Sequence, residues 1–197
     1  MNNPEPKSKI YASVKWGLSA PTVMLLAEYT QAPKDHIHIM RELFESNLLF
    51  DDLLPIAKAW AAELHIRKFF CDPREPEFIK RMRRQRLHAV AAPEELGLAM
   101  NLLGKRVRIQ GESLKALIDR LGRNPNEVER MDVPGGISIS RECPNTIPEF
   151  HKYRMPERQP RRPFRDKPLD MDNYGISALH YLVLGLATEV TPRVRWL

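Results

Sequence analysis

Asp72 stands directly before Pro73 at the end of an apolar run, a carboxylate where a strand should stop and a turn begin. Such a residue, with nothing else beside it, is a common turn former. His36 and His38 alternate with Ile37 and Ile39, so the two imidazoles share one strand face, where they could hold a metal or simply meet solvent. Cys71 and Cys143 lack any C-x-x-C or Cys/His ligand spacing, which supports neither a disulfide framework nor a zinc site and predicts two buried thiols. Positive charge comes in two bunches. Arg81, Arg83, Arg84 and Arg86 fall on one helical stretch that reads first as a solvated face, with Arg84 a candidate phosphate contact. Arg158, Arg161, Arg162, Arg165 and Lys167 are interleaved with Pro156, Pro160, Pro163 and Pro168. Proline forbids a helix there, so residues 155–168 should form an exposed basic loop that offers guanidinium groups to phosphates.

Several chemistries have no support. The nearest approach to a phosphate loop, Gly104-Lys105, has Ala99 where the first glycine belongs and Arg106 where the hydroxyl belongs, so ATP hydrolysis is not expected. There is no G-x-G-x-x-G, no G-x-S-x-G and no H-E-x-x-H. The 197 residues are 43% hydrophobic and 28% charged, with no apolar run long enough to span a membrane. Thirty-one Lys and Arg against 25 Asp and Glu leave a formal +6, which favours nucleic acid or another polyanion as partner. Residues 1–9 are polar and lack the apolar core of a signal peptide, so a flexible tail and a cytoplasmic location are expected.

The elements that must position these groups follow from periodicity. Ile10 to Val14 and Thr22 to Ala27 read as a hairpin, and His36 to Met40 as a third strand. Asp51 or Asp52 should cap a helix with Leu53, Ala57, Trp60 and Leu64 inward, placing Pro55 in its first turn. Ile66–Cys71, Glu75–Arg86 and Leu87–Ala91 then read strand, helix, strand. Residues 94–121 look helical in two pieces, Gly136–Ser140 is a strand and Ile147–Tyr153 a short helix. Asp172 or Asn173 caps a last helix with Ile176, Leu179, Val183 and Leu186 in one stripe. Antiparallel strands followed by alternating helices and strands predict one α/β domain over residues 10–190, a mixed sheet flanked by helices, with a short tail at 191–197.

The segments SVKWGLSAPTVMLLAEY, IHIMREL, KFFCDPREPEFIKRMRRQRL, GISISRECPNTIPEFHKYRMPE and KPLDMDNYGISALHYLV, in that order, resemble the nuclease domain of bacteriophage large terminases. The resemblance runs from Ile10 to Leu186. Its most specific pieces are the Asp-Pro-x-Glu-Pro-Glu-Phe segment at Asp72 and the Cys-x-Asn-x-Ile-x-Glu-Phe-x-x-Tyr segment ending at Tyr153. It implies a ribonuclease H-like fold, standing alone without the ATPase motor, in the bacterial host cytoplasm.

It also implies a chemistry. Acidic side chains in that family hold two cations, magnesium or manganese, about 4 Å apart for phosphodiester cleavage. The family's first-strand aspartate falls on Lys15, the fourth-strand aspartate is kept as Asp72, and the two acids of the closing helix fall on Asn173 and Ser177. Asp172 is a further candidate ligand. With Lys15 beside Asp72 the site would be neutralised by the protein itself, and Asn173 and Ser177 could hydrogen-bond to either. The resemblance so read implies a catalytically degenerate nuclease domain that binds no metal and is retained to contact duplex DNA or a packaging partner such as a separate motor or portal protein. Two rivals stand beside it. One is an active nuclease with ligands relocated to Asp170, Asp172, Glu28 or Glu42, and the other is a basic scaffold protein that binds no DNA.

Overall fold

The computed structural model describes residues 8–17, 19–31, 35–106, 136–152 and 173–190. Three strands, β1 (Ser8–Lys15), β2 (Thr22–Thr30) and β3 (His36–Glu45), form an antiparallel meander. There follow α1 (Phe50–Leu64), β4 (Lys68–Cys71), α2 (Pro76–Arg84), β5 (Ala89–Ala91), α3 (Leu96–Arg106), β6 (Ile137–Ile139), α4 (Thr146–Lys152) and α5 (Tyr174–Val190). The strands assemble in the order β5-β4-β1-β2-β3-β6, with β4 parallel to β1 and to β5, and β6 parallel to β3.

Every residue from Tyr11 to Trp16 is buried, as a central strand covered on both faces requires. Alternation divides them. Ala12, Val14 and Trp16 join Met24, Leu26, Phe69 and Cys71 beneath α1 and α2, while Tyr11 joins Val23, Leu25, Ala27 and Phe70 beneath α3 and α5. The result is three layers, with α1 and α2 on one face of the sheet and α3 and α5 on the other.

Several elements depart from the periodicity reading. The third strand continues past Met40 to Glu45 because Leu26 pairs with Arg41 but Ala27 with Ile39, a bulge that leaves Met40 unpaired. The bulge rephases the strand, so that Glu42, opposite the inward Leu25, comes to the α5 side. Neither Asp51 nor Asp52 caps α1. The helix begins at Phe50 after Leu49, which makes no side-chain cap; the two aspartates sit in its first turn, where they favour the helix dipole. Pro55 therefore lies in the second turn, and the helix forgoes the bond its N–H would have made. The second helix is shorter than expected and starts with Pro76 at its first position. Residues 1–7, the second half of the 94–121 segment, the loop at 155–168 and the tail at 191–197 lie outside the described residues. No described helix is long and apolar enough to cross a membrane.

Candidate functional site

Parallel pairing sets Val14 against Cys71, and the Asp72 N–H continues the ladder to the Val14 carbonyl at 2.8 Å. Lys15 and Asp72 thus end adjacent strands, which run roughly 4.8 Å apart. Because Val14 and Cys71 face α1 and α2, the next residue on each strand turns to the α5 side. The strand tips are pinned as well: the Trp16 indole Nε1–H donates to the Asp72 carbonyl at 2.9 Å, and Thr22 Oγ1 accepts from Gly17 N–H while donating to its carbonyl.

Asp72 is 1% exposed. Its Oδ1 accepts the Arg74 backbone N–H at 3.1 Å, the turn expected of an Asp two residues upstream, and the Arg74 side chain folds back on the same carboxylate. Arg74 Nε donates to Oδ1 at 2.8 Å and to Oδ2 at 3.2 Å, and Nη2 to Oδ2 at 2.5 Å. The Tyr181 hydroxyl, from α5, accepts from Arg74 Nη2 at 3.4 Å and lies near the same carboxylate. Burial, and then the Asp72 charge, push the Tyr181 phenol up to about 12, so it stays protonated. The hydrogen bond to Asp72 holds the Arg74 guanidinium above its already high range.

Lys15, 8% exposed, donates from Nζ to the Trp16 carbonyl at 3.0 Å and lies 4.9 Å from the centroid of the Tyr174 ring. Tyr174, Ser177 and Tyr181 lie three and four residues apart and share one face of α5, which brings Ser177 to the side of the helix that meets the strand tips. Its hydroxyl, however, donates back to the Asn173 carbonyl at 2.9 Å, alongside the ordinary Ser177 N–H bond at 2.8 Å. The expected bond from Ser177 to Lys15 or Asp72 is replaced by one within the helix end.

Two acids outside the cluster position it. Glu149, 6% exposed, accepts from the backbone N–H groups of Tyr174 and Ile176, each at 3.1 Å, and so caps α5. Burial raises its carboxyl above the usual range despite the backbone N–H groups that oppose the shift. Glu42 accepts from Asn145 N at 2.7 Å, Asn145 Nδ2 at 2.9 Å and Thr146 N at 2.9 Å, fixing the entry to α4.

A metal pair does not fit this described donor set. Both Asp72 oxygens are engaged by a guanidinium, and the two described carboxylates of the relocated-ligand alternative are elsewhere. Glu42 stands on β3 and is spent on the α4 turn, while Glu28 pairs with Ile10 and His38, on the sheet face that carries α1. Among the described residues no group of three His, Cys, Asp or Glu could hold a metal ion. Asp170, Asp172, Arg158, Arg161, Arg162, Arg165 and Lys167 lie outside the described residues. Arg84 ends α2 in the opposite layer, roughly 12 Å along the helix axis from Pro76, and is not brought to the cluster. Of its neighbours, Arg81 pairs with Asp51 and Arg83 donates to the Ala89 carbonyl at 2.7 Å. His36 Nε2 and His38 Nδ1 each lie 2.8 Å from Ser138 Oγ, so they bracket a hydroxyl of β6 and are not simply solvated. Cys71 and Cys143 are buried thiols.

Arg74 and Tyr181 are the residues that sequence reasoning missed. A signal for Arg74 existed: in Asp-Pro-Arg the turn returns the third residue to the first, and an arginine there can reach the carboxylate. Tyr181 lies in the closing-helix segment that resembles the family, but its role depends on a helix crossing that no local pattern gives.

No family model matches the chain, and no curated protein matches it. Solved structures do. The large terminase of a thermophilic bacteriophage, in complex with ADP, superposes with a TM-score of 0.65 at 17% identity over 91% of this chain. The chain spans 40% of that protein's length. The nuclease domain of the large terminase of bacteriophage SPP1, with bound Mn, gives 0.57 at 15% identity, over 89% of this chain and 84% of that one. The P22 large terminase nuclease domain gives 0.58 at 12% identity, over 95% and 85%. Identities this low speak for architecture alone, and they do so consistently: this chain has the ribonuclease H-like fold of the large terminase nuclease domains.

Proposed function

We propose that the chain is a nuclease-fold module of a phage-type DNA-packaging system that holds duplex DNA and does not cut it. The observation that carries this reading is the Asp72 carboxylate, the one family acid retained, with both oxygens taken by Arg74. A two-cation site must balance about four positive charges with carboxylates and the phosphate of the substrate. Here the acids of the first strand and the closing helix are Lys15, Asn173 and Ser177, and a second cationic side chain occupies the remaining acid. The formal charge of +6 supports a polyanionic partner, and the arginines of residues 155–168 are suited to phosphates without reading bases. A packaging motor or portal protein would be the protein partner, in the cytoplasm of the host.

The test is supercoiled plasmid incubated with the purified chain in magnesium or manganese. Neither nicked nor linear product should accumulate, while a duplex should be bound at low salt. Robust metal-dependent cleavage that Asp72→Ala abolishes would overturn this reading and favour an active nuclease with relocated ligands.

A further inference from the structure

We infer that the tip of β4 is an oxyanion site, in which Arg74 takes a phosphodiester oxygen of DNA directly, with no divalent cation between protein and phosphate. This rests on the DNA-holding reading above and adds the atom that does the holding. The guanidinium has five N–H donors in a fixed plane. Nε and Nη2 are engaged by Asp72 and Tyr181, whereas the two N–H groups of Nη1 make no hydrogen bond among the described residues. The Arg74 side chain is 60% exposed over a carboxylate that is 1% exposed, so the fork is buried along one edge and open along the other.

Charge favours an anion at that open edge. The Arg74–Asp72 pair is neutral as a whole, but its positive end is the exposed one and its negative end the buried one. Lys15, at the adjacent strand tip, is itself buried and does not compete for the contact. The bidentate clamp also prepays the ordering of a long side chain, since the guanidinium is fixed before any ligand arrives. The place where relatives hold cations for a phosphate thus becomes, by exchange of charge, a place that holds the phosphate itself.

The experiment uses the full chain and a short labelled duplex, titrated in EDTA and in magnesium at several salt concentrations. Wild-type affinity should be the same with and without metal. Arg74→Ala should weaken binding about fivefold and reduce the salt slope by about one unit, and Arg74→Lys should fall between. Asp72→Asn removes the opposing negative charge and should tighten binding. A purely structural role would make Arg74→Ala and Asp72→Asn weaken it alike, so the opposite signs keep the test valid even if Arg74→Ala folds poorly, which circular dichroism reports. A second arm measures thermal stabilisation by inorganic pyrophosphate, which separates free phosphate from the DNA backbone as source. Stabilisation lost in Arg74→Lys, without duplex binding, would keep the oxyanion site and remove the DNA-holding function. Salt-dependent duplex binding unchanged by every Arg74 and Asp72 variant would remove the site and leave that function standing. A strict requirement for magnesium would also overturn the inference.

Discussion

Arg74 shows how a single side chain can change the meaning of a retained acid. A buried carboxylate must be paired or protonated, and a guanidinium from two residues away satisfies both oxygens at little entropic cost because the turn already holds the backbones together. Glu149 solves a different problem: it spends its lone pairs on two N–H groups that α5 would otherwise leave bare beneath the protein surface. Burial raises its pKa above the ordinary 4.5. Between 4.5 and that raised value the folded state holds the proton more tightly than the unfolded chain, so stability falls as pH rises through this window and recovers on acidification. In urea unfolding from neutral pH down to about 4.5, the wild type should therefore gain stability relative to Glu149→Gln, and a gap that moves the other way would contradict the assignment. Glu149→Ala, which abandons the cap, should cost about 1–2 kcal/mol.

At the scale of elements, the site depends on how closely α5 approaches the sheet. Gly185 permits that approach, because a Cβ there would stand 2.2 Å from Cδ1 of Phe70, a ring that is 1% exposed and stacked on Tyr11 with centroids 5.7 Å apart. Alanine normally gains about 1 kcal/mol over glycine inside a helix. Steric overlap with a ring that has nowhere to go outweighs that gain, and forced overpacking costs about 1–3 kcal/mol. Gly185→Ala should lower the melting temperature by several degrees and, by lifting α5, loosen Tyr181 from Asp72. An unchanged melting temperature would mean that the helix can shift without penalty.

At the scale of the whole molecule, charge decides the interaction. Proline and arginine alternate through residues 155–168, which enter the chain shortly before the helix that carries Tyr174 and Tyr181. Replacing Arg158, Arg161, Arg162 and Arg165 together with alanine lowers the formal charge from +6 to +2 and should flatten the salt dependence of duplex binding by about 0.9 per lost phosphate contact. Equal affinity for unrelated duplex sequences should accompany this, since phosphate contacts carry no base information. An unaltered slope would place the contact surface away from the loop.

The sequence by itself determined the mixed sheet, the order of strands and helices through β5 and the inward stripes of α1 and α5, because periodicity reports which face each residue buries, while the nearness of Lys15 and Asp72 came only from the family resemblance. It missed the second half of β3, since the bulge at Met40 breaks the alternation from which a strand is recognised, and with it the turn-fixing role of Glu42. It named Asp51 and Asp52 as caps where Leu49 precedes the helix, because capping preference is weaker than the packing of Phe50 against Phe78 and Trp16. Tertiary structure alone decided that Tyr181 closes over the Asp72–Arg74 pair. That closure depends on the height of one helix above the sheet, which is set by contacts between residues more than a hundred positions apart, Arg74 with Tyr181 and Phe70 with Gly185.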